Sequence, residues 1–386
     1  MICSKTIYAD YQATTPADPR ILEKMAPFWR ESFGNPHSTD HIIGWRAAES
    51  VRDSASSVAA LIGADADEVI FTSGATEANN LALLGVARRA SANRRRILVS
   101  AIEHKCVLAA ARTLATREGF TVEAIPVDGE GFIDLSALED RLDETVLAVS
   151  VMAVNNEVGT IQDIPQIAAL LVPYGIFFHC DAAQAPCAME ISDLAKHADL
   201  VSLSGHKVYG PQGIGALYIR RDVQERIEPL IYGGGQQEGL RSGTVPVPLC
   251  VGMAAAAEIF QSPEAPEERT RVSRQRDSFV ELLQSRSFPV VVNGPAGDRR
   301  HPGNANVRFD GFGAQDILGA LQPRLAASTG AACASGMPEP SHVLRALGLS
   351  EAQAESSIRF SFGRFTSDEE INEAARLVVG ALESLA

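Results

Sequence analysis

A lysine and an aspartate, each closing an apolar run, carry the first chemical signal in this sequence. In Leu203-Ser204-Gly205-His206-Lys207-Val208-Tyr209-Gly210-Pro211 the run opens into a glycine-flanked turn that presents a primary amine. In Ile176-Phe177-Phe178-His179-Cys180-Asp181-Ala182-Ala183-Gln184 it terminates in a carboxylate. Pyridoxal 5'-phosphate needs such a pair: an amine to hold its aldehyde as a Schiff base, and an acid against the ring nitrogen so that the protonated ring draws electrons. Each residue alone has an ordinary reading, since an Asp after a strand often caps a helix and a Gly-flanked Lys often sits in a solvated turn.

A phosphate is held by backbone amides at a helix N-terminus together with a few hydroxyls. Residues 72–79 read as strand, glycine turn and helix start in that order, with a plain helix cap as the alternative. Ser204 and His206, beside the lysine, are further phosphate candidates. His104 follows the apolar run 97–102, where an imidazole can stack on a pyridine ring or move protons; a structural histidine is the competing reading. In Ser357-Ile358-Arg359-Phe360-Ser361-Phe362 the alternation puts Ile358, Phe360 and Phe362 on one face and Arg359 on the other. A guanidinium there can grip a carboxylate with two parallel hydrogen bonds, or make a surface salt bridge. Residues 326–340 are largely small and end in prolines, with Cys333 in the middle. A nucleophilic thiol that visits a buried substrate and then an outside acceptor needs such a carrier; a connector with an incidental thiol looks the same.

These residues need a scaffold that brings them together, and the pattern between about 69 and 220 supplies one. Short apolar runs at 69–72, 97–102, 122–125, 146–152, 176–179, 200–203 and 215–219 alternate with helix-like stretches, the mark of an α/β fold with a mostly parallel sheet. Ligands of such sheets collect beyond the carboxyl ends of the strands, which is where Ser73, His104, Asn156, Asp181 and Lys207 fall. Residues 262–276 read as a helix entry or a hinge, and the chain from about 275 as a smaller α+β unit.

Composition narrows the function classes. The chain has 386 residues, 46% hydrophobic and 21% charged, enough for a large core. A net charge of -14 argues against a surface that tracks nucleic-acid phosphates. No apolar run approaches the ~20 residues that span a bilayer, and the N-terminus shows no cationic-then-apolar leader, so a cytoplasmic protein without membrane contact is expected. Cys3, Cys106, Cys180, Cys187, Cys250 and Cys333 include no C-x-x-C pair, so no metal site is expected.

Taken in order, several motifs resemble those of the cysteine desulfurases, a branch of the class V aminotransferases within the fold-type I pyridoxal-phosphate enzymes. They are Tyr8-Ala9-Asp10-Tyr11-Gln12-Ala13-Thr14-Thr15-Pro16, Phe33-Gly34-Asn35-Pro36-His37-Ser38, Thr72-Ser73-Gly74-Ala75-Thr76-Glu77, Asn155-Asn156-Glu157-Val158-Gly159, Ser204-Gly205-His206-Lys207, Arg241-Ser242-Gly243-Thr244 and the Cys333 loop. The loop and the stretch 339–348 after it resemble the long-loop group I enzymes.

The resemblance implies a seven-stranded, mostly parallel sheet with helices on both faces plus a smaller α+β domain. It divides the chain into an N-terminal segment 1–15 that joins the small domain, a large cofactor domain 16–260 and a small domain 261–386. Lys207 is then the Schiff-base lysine, Asp181 the partner of the ring nitrogen and Gln184 that of the ring hydroxyl. His104 stacks on the ring, while Ala75, Thr76, Ser204 and His206 hold the phosphate. Thr244 reaches the phosphate of a neighbouring subunit, which implies a homodimer. Asn156 and Arg359 bind the substrate, L-cysteine, and Cys333 accepts its sulfur as a persulfide for an acceptor protein, a scaffold or a relay. A selenocysteine lyase, an aminotransferase or a non-catalytic sulfur-carrier platform would share much of this pattern. Relatives that feed iron–sulfur scaffolds commonly carry a C-terminal docking extension, which leaves the acceptor open in a chain ending at Ala386.

Overall fold

The computed structural model describes residues 6–330 and 340–386, so Cys333 lies outside the described residues. Its strands run β1 (Ile7–Tyr8), β2 (Val69–Thr72), β3 (Arg96–Ser100), β4 (Thr121–Ile125), β5 (Val146–Ser150), β6 (Phe177–Asp181), β7 (Leu200–Ser204), β8 (Gly215–Ile219), β9 (Val290–Val292), β10 (Asn304–Phe309), β11 (Leu325–Ala326) and β12 (Ser357–Ser361). Among the described residues seven of them form one sheet in the order β2-β8-β7-β6-β5-β3-β4. The strands β4, β3, β5, β6 and β7 pair in parallel. β8 runs against both its neighbours, β7 and β2, and so returns β2 to the direction of the parallel set.

This sheet is covered on both faces, which explains why its strands read as continuous apolar runs instead of alternating with polar residues. In β3, Leu98 enters one apolar cluster with the helices Ile42–Ile62 and Val247–Phe260, while Ile97 and Val99 enter a second with the helices Ala75–Arg88 and Lys105–Arg117. β3 and β5 stop short of the expected Ile102 and Met152. The Met152 amide is taken instead by the Glu103 carboxylate, at 2.6 Å.

A smaller antiparallel sheet, β12-β10-β9, carries a third cluster with the helices Glu264–Gln284 and Asp368–Leu385. Phe279 sits at its centre, with ring centroids 4.9 Å from Phe360 and 5.0 Å from Phe362. The stretch 262–276 is therefore mostly the first part of a long helix, Glu264–Gln284, and not a hinge, its polar face turned outward and its Ala265, Val272 and Arg276 inward. The N-terminal segment is stitched to the small unit: β1 pairs with β11, Asp10 bridges Ser361, and Ile7 and Ala9 join the third cluster. No helix among the described residues is long and apolar enough to cross a membrane.

Candidate active site

The register of the large sheet brings the carboxyl ends of its strands to one edge. Gly215 of β8 lies opposite Thr72 on one side and Ser204 on the other, so the turns after β2 and β7 are neighbours. Beyond this edge, against the small unit, opens a cavity of about 490 Å³. Lys207, Asp181, His104, Gln184, Ala75, Thr76, Ser204, His206, Asn156 and Arg359 all line it. Thr244 does not; it is exposed on the surface of its own chain. A second opening of about 600 Å³ beside Arg274, Asp277 and Asp298 is larger, but those charges are of mixed sign and exposed to solvent, and Asp277 is already paired with Arg276.

Lys207 ends a single turn, Gly205–Lys207, directly after β7. Its Nζ donates to the carbonyl oxygens of Gln12 at 2.6 Å and Ala13 at 2.8 Å, both on the N-terminal segment. Burial, and next the Arg359 charge, pushes this amine down to about 8. Asp181 closes β6 and is 4% exposed. It accepts from Ala183 N at 3.0 Å, as a turn-capping aspartate does, and from Asn79 Nδ2 at 2.7 Å. Asp181 thus caps the turn after β6 and not the helix Ala185–Ala188, whose N-cap is Gln184, and it also lines the cavity.

His104 likewise combines a structural contact with a place on the cavity wall. Its Nδ1 accepts from Cys106 N at 3.2 Å and starts the helix Lys105–Arg117, while the ring lines the cavity and burial lowers its basicity. His206, hydrogen-bonded through Nδ1 to Thr14 Oγ1 at 3.0 Å, is pushed down to about 4 by burial and then by Lys207, and is neutral at physiological pH. Gln184 Nε2 donates to the Gln12 carbonyl at 2.9 Å, the same oxygen that receives Lys207. The helix Ala75–Arg88 begins at Gly74 with no side-chain cap, which leaves its first turn available to an anion at the cavity wall.

Arg359 projects from β12 with its side chain 4% exposed. Its Nη1 donates to Asn156 O at 2.8 Å, and its Nη2 to Asp10 Oδ1 at 2.6 Å and Ser328 Oγ at 2.9 Å. The salt bridge read as a surface alternative thus exists, but it is buried inside the cavity wall.

Several members of the site escaped the sequence reading. Asp10 and Gln12 sit inside a quoted motif and Asn79 in the stretch 72–79, yet only the fold shows Asp10 on Arg359, Gln12 under Lys207 and Asn79 on Asp181. Glu103 is wholly buried beside Asp181, and burial followed by that negative charge raises its carboxyl well above the usual range. Cys106 lines the cavity with Sγ 3.0 Å from His104 Nδ1, but burial pushes this thiol up to about 11, so it is no thiolate at neutral pH.

A primary amine, a buried carboxylate and an uncapped helix start on one wall match the three ends of a phosphorylated pyridine aldehyde. The class-V aminotransferase family model matches residues 7–373. Cysteine desulfurase IscS of Rickettsia akari (strain Hartford) is 46% identical over 379 residues, covering 98% of this chain and 92% of the relative. The chain belongs to the class-V aminotransferases, among their cysteine desulfurases. The desulfurase of Rickettsia bellii (strain OSU 85-389) is 45% identical over the same shares. Among solved structures a NifS-like protein superposes with a TM-score of 0.91 at 34% identity, covering 98% of this desulfurase and 100% of the neighbour. A structure described as SspA in complex with cysteine gives a TM-score of 0.81 at 36% identity, covering 94% and 100%. Like its family, this desulfurase is a pyridoxal-phosphate enzyme of fold type I. These relatives do not favour the aminotransferase, selenocysteine lyase or carrier-platform readings.

Proposed function

We propose that this desulfurase takes L-cysteine into the cavity beside Lys207, passes its sulfur to Cys333 and releases L-alanine. The observation that carries the reading is the convergence of Lys207, Asp181 and Arg359 on a single cavity. Cysteine as substrate is supported by the named relatives and by the neighbour solved with cysteine.

In this reading Lys207 holds the cofactor aldehyde, Asp181 faces the ring nitrogen, Gln184 the ring hydroxyl and His104 the ring face. Ala75, Thr76, Ser204 and His206 receive the phosphate. Pyridoxal phosphate, when bound, supplies the electron sink that loosens bonds at the substrate Cα and Cβ. Arg359 and Asn156 orient the substrate by its carboxylate. Lys207, once displaced by the substrate amine, takes the Cα proton at Nζ, and the low basicity that burial gives it suits this work near neutral pH. His104, buried and poorly basic, is a second proton carrier at the same face. The Cys333 thiolate attacks the substrate sulfur: an S–S bond forms, the C–S bond breaks with its electron pair left on carbon, and carbon gains a proton. Gly330 lines the cavity, and Cys333 follows it in the chain.

The domain division follows the same logic. Apolar clusters one and two fall within 16–260 apart from Tyr8 and Tyr11 at the start and Ala265 at the end, and cluster three joins the N-terminal segment to the chain beyond 261. A homodimer is supported by large apolar side chains left exposed along one stretch, among them Trp29 at 61%, Phe33 at 67% and Trp45 at 55%. In such a dimer Thr244 serves the partner's phosphate. A protein acceptor, scaffold or relay, then takes the sulfur from Cys333.

The test is an absorbance spectrum of the purified enzyme before and after L-cysteine, with the persulfide mapped by mass spectrometry. Cys333→Ser is expected to keep the cofactor band and its response to cysteine while losing sulfide release by at least about a hundredfold. Wild-type sulfide release from that variant would remove Cys333 as the acceptor.

A further inference from the structure

Arg359 does not wait with an open fork. A guanidinium grips a carboxylate at two points through either its Nε/Nη2 edge or its Nη1/Nη2 edge, and both use Nη2. Here Nη2 already serves two acceptors, Asp10 Oδ1 at 2.6 Å and Ser328 Oγ at 2.9 Å, and Nη1 is held by Asn156 O at 2.8 Å. Ser328 Oγ in turn donates to Asp10 Oδ1 at 3.1 Å, so the two acceptors form one unit. The Nε donor, by contrast, is buried without a partner among the described residues. A two-point grip on an incoming carboxylate is therefore open at Nε and obstructed at Nη2.

From this geometry we propose that Asp10 is a resident carboxylate that occupies the Arg359 fork in the empty site and is displaced from Nη2 by the carboxylate of the amino-acid substrate. The inference rests on Arg359 being the substrate clamp, as proposed above. Asp10 is then a positioning residue that sets how tightly the site takes anionic amino acids. Before substrate arrives it satisfies a guanidinium that would otherwise face the cavity with its charge uncompensated; once substrate arrives it is the competitor. One carboxylate replaces another, so Arg359 never lacks an anion, and a ligand with no carboxylate gains nothing from the exchange.

The test is spectroscopic titration of holoenzyme variants, following the cofactor band. The ligands are L-alanine, which carries the carboxylate without transferable sulfur, and cysteamine, which lacks the carboxylate. Asp10→Asn keeps an acceptor oxygen and removes the competing charge. It is expected to tighten L-alanine about tenfold, to leave cysteamine unchanged, and to lower KM for cysteine without raising kcat. Asp10→Glu restores the charge and is expected to restore weaker L-alanine binding. Should Asp10→Asn fail to accumulate with cofactor, Asp10→Ser carries the same comparison.

Unchanged or weaker L-alanine binding in the charge-removing variant overturns the proposal. Arg359→Gln separates the two failures. If it leaves the preference for L-alanine over cysteamine intact, the clamp assignment itself is wrong. If it abolishes that preference while the Asp10 variants bind like wild type, only the exchange is wrong.

Discussion

Burial acts in opposite directions on Lys207 and Glu103, two ionisable groups around the cofactor cavity. It lowers the Lys207 amine to about 8, so the uncharged form that attacks carbonyls and accepts protons is far more available at neutral pH than in a free lysine. It raises the Glu103 carboxyl well above 4.5, with Asp181 adding to the effect. Glu103 has one oxygen on the Met152 amide, while the other, Oε2, has no partner among the described residues. Above the unfolded value the folded chain binds a proton that the unfolded chain does not, so this residue's contribution is complete below pH 4.5 and declines as pH rises toward the folded value. Glu103→Gln is therefore expected to unfold at a higher temperature than wild type at pH 8, with a gap that shrinks toward pH 5, by at most about 1.4 kcal/mol per pH unit. Calorimetry at several pH values checks this, and a gap independent of pH would mean that the buried carboxyl is ionised.

At the scale of elements, the site depends on how closely the turn after β2 approaches β8. A Cβ built on Gly215 would come within 2.6 Å of the Gly74 backbone and 2.7 Å of Leu203 O. Nothing flexible can yield there, so Gly215 is the condition for the glycine turn and the Ser204 end of β7 to lie side by side. Gly215→Ala is expected to push the Gly74 turn outward and to raise the dissociation constant of pyridoxal phosphate by about tenfold, the scale of overpacking one methyl against backbone. Titrating the apoprotein with cofactor, with circular dichroism to verify the fold, measures it. Wild-type affinity would mean that the phosphate does not use this turn.

For the whole molecule, a single chain leaves Trp29, Phe33, Ile42, Ile43 and Trp45 exposed, and Thr244 stands exposed outside the cavity of its own chain. The homodimer proposed above would cover these side chains and bring Thr244 to the partner's phosphate. Trp29→Glu combined with Phe33→Glu is expected to lower the light-scattering mass from two chains to one and to weaken cofactor retention several-fold. A wild-type protein that is monomeric at micromolar concentration and saturated with cofactor would end the dimer reading.

What lies close in the chain is legible in the residues themselves. The seven runs of the large sheet read as strands because a strand covered on both faces must be continuously apolar, and Lys207, Asp181 and His104 read as site residues because they follow such runs at the ligand edge. The Gly74 turn and helix start are legible in the same local way. Tertiary structure decided what no local pattern encodes. It placed β8 antiparallel between β2 and β7, and that register is what sets Gly215 against Gly74. It brought Asn79 to Asp181 and made Glu103 a buried acid. It also closed the ion pair between Asp10 and Arg359, 349 residues apart. Spacing within a strand or a turn is set by backbone geometry and can be read from neighbours, whereas a charge pair across the chain exists only once packed elements fix the distance between its ends.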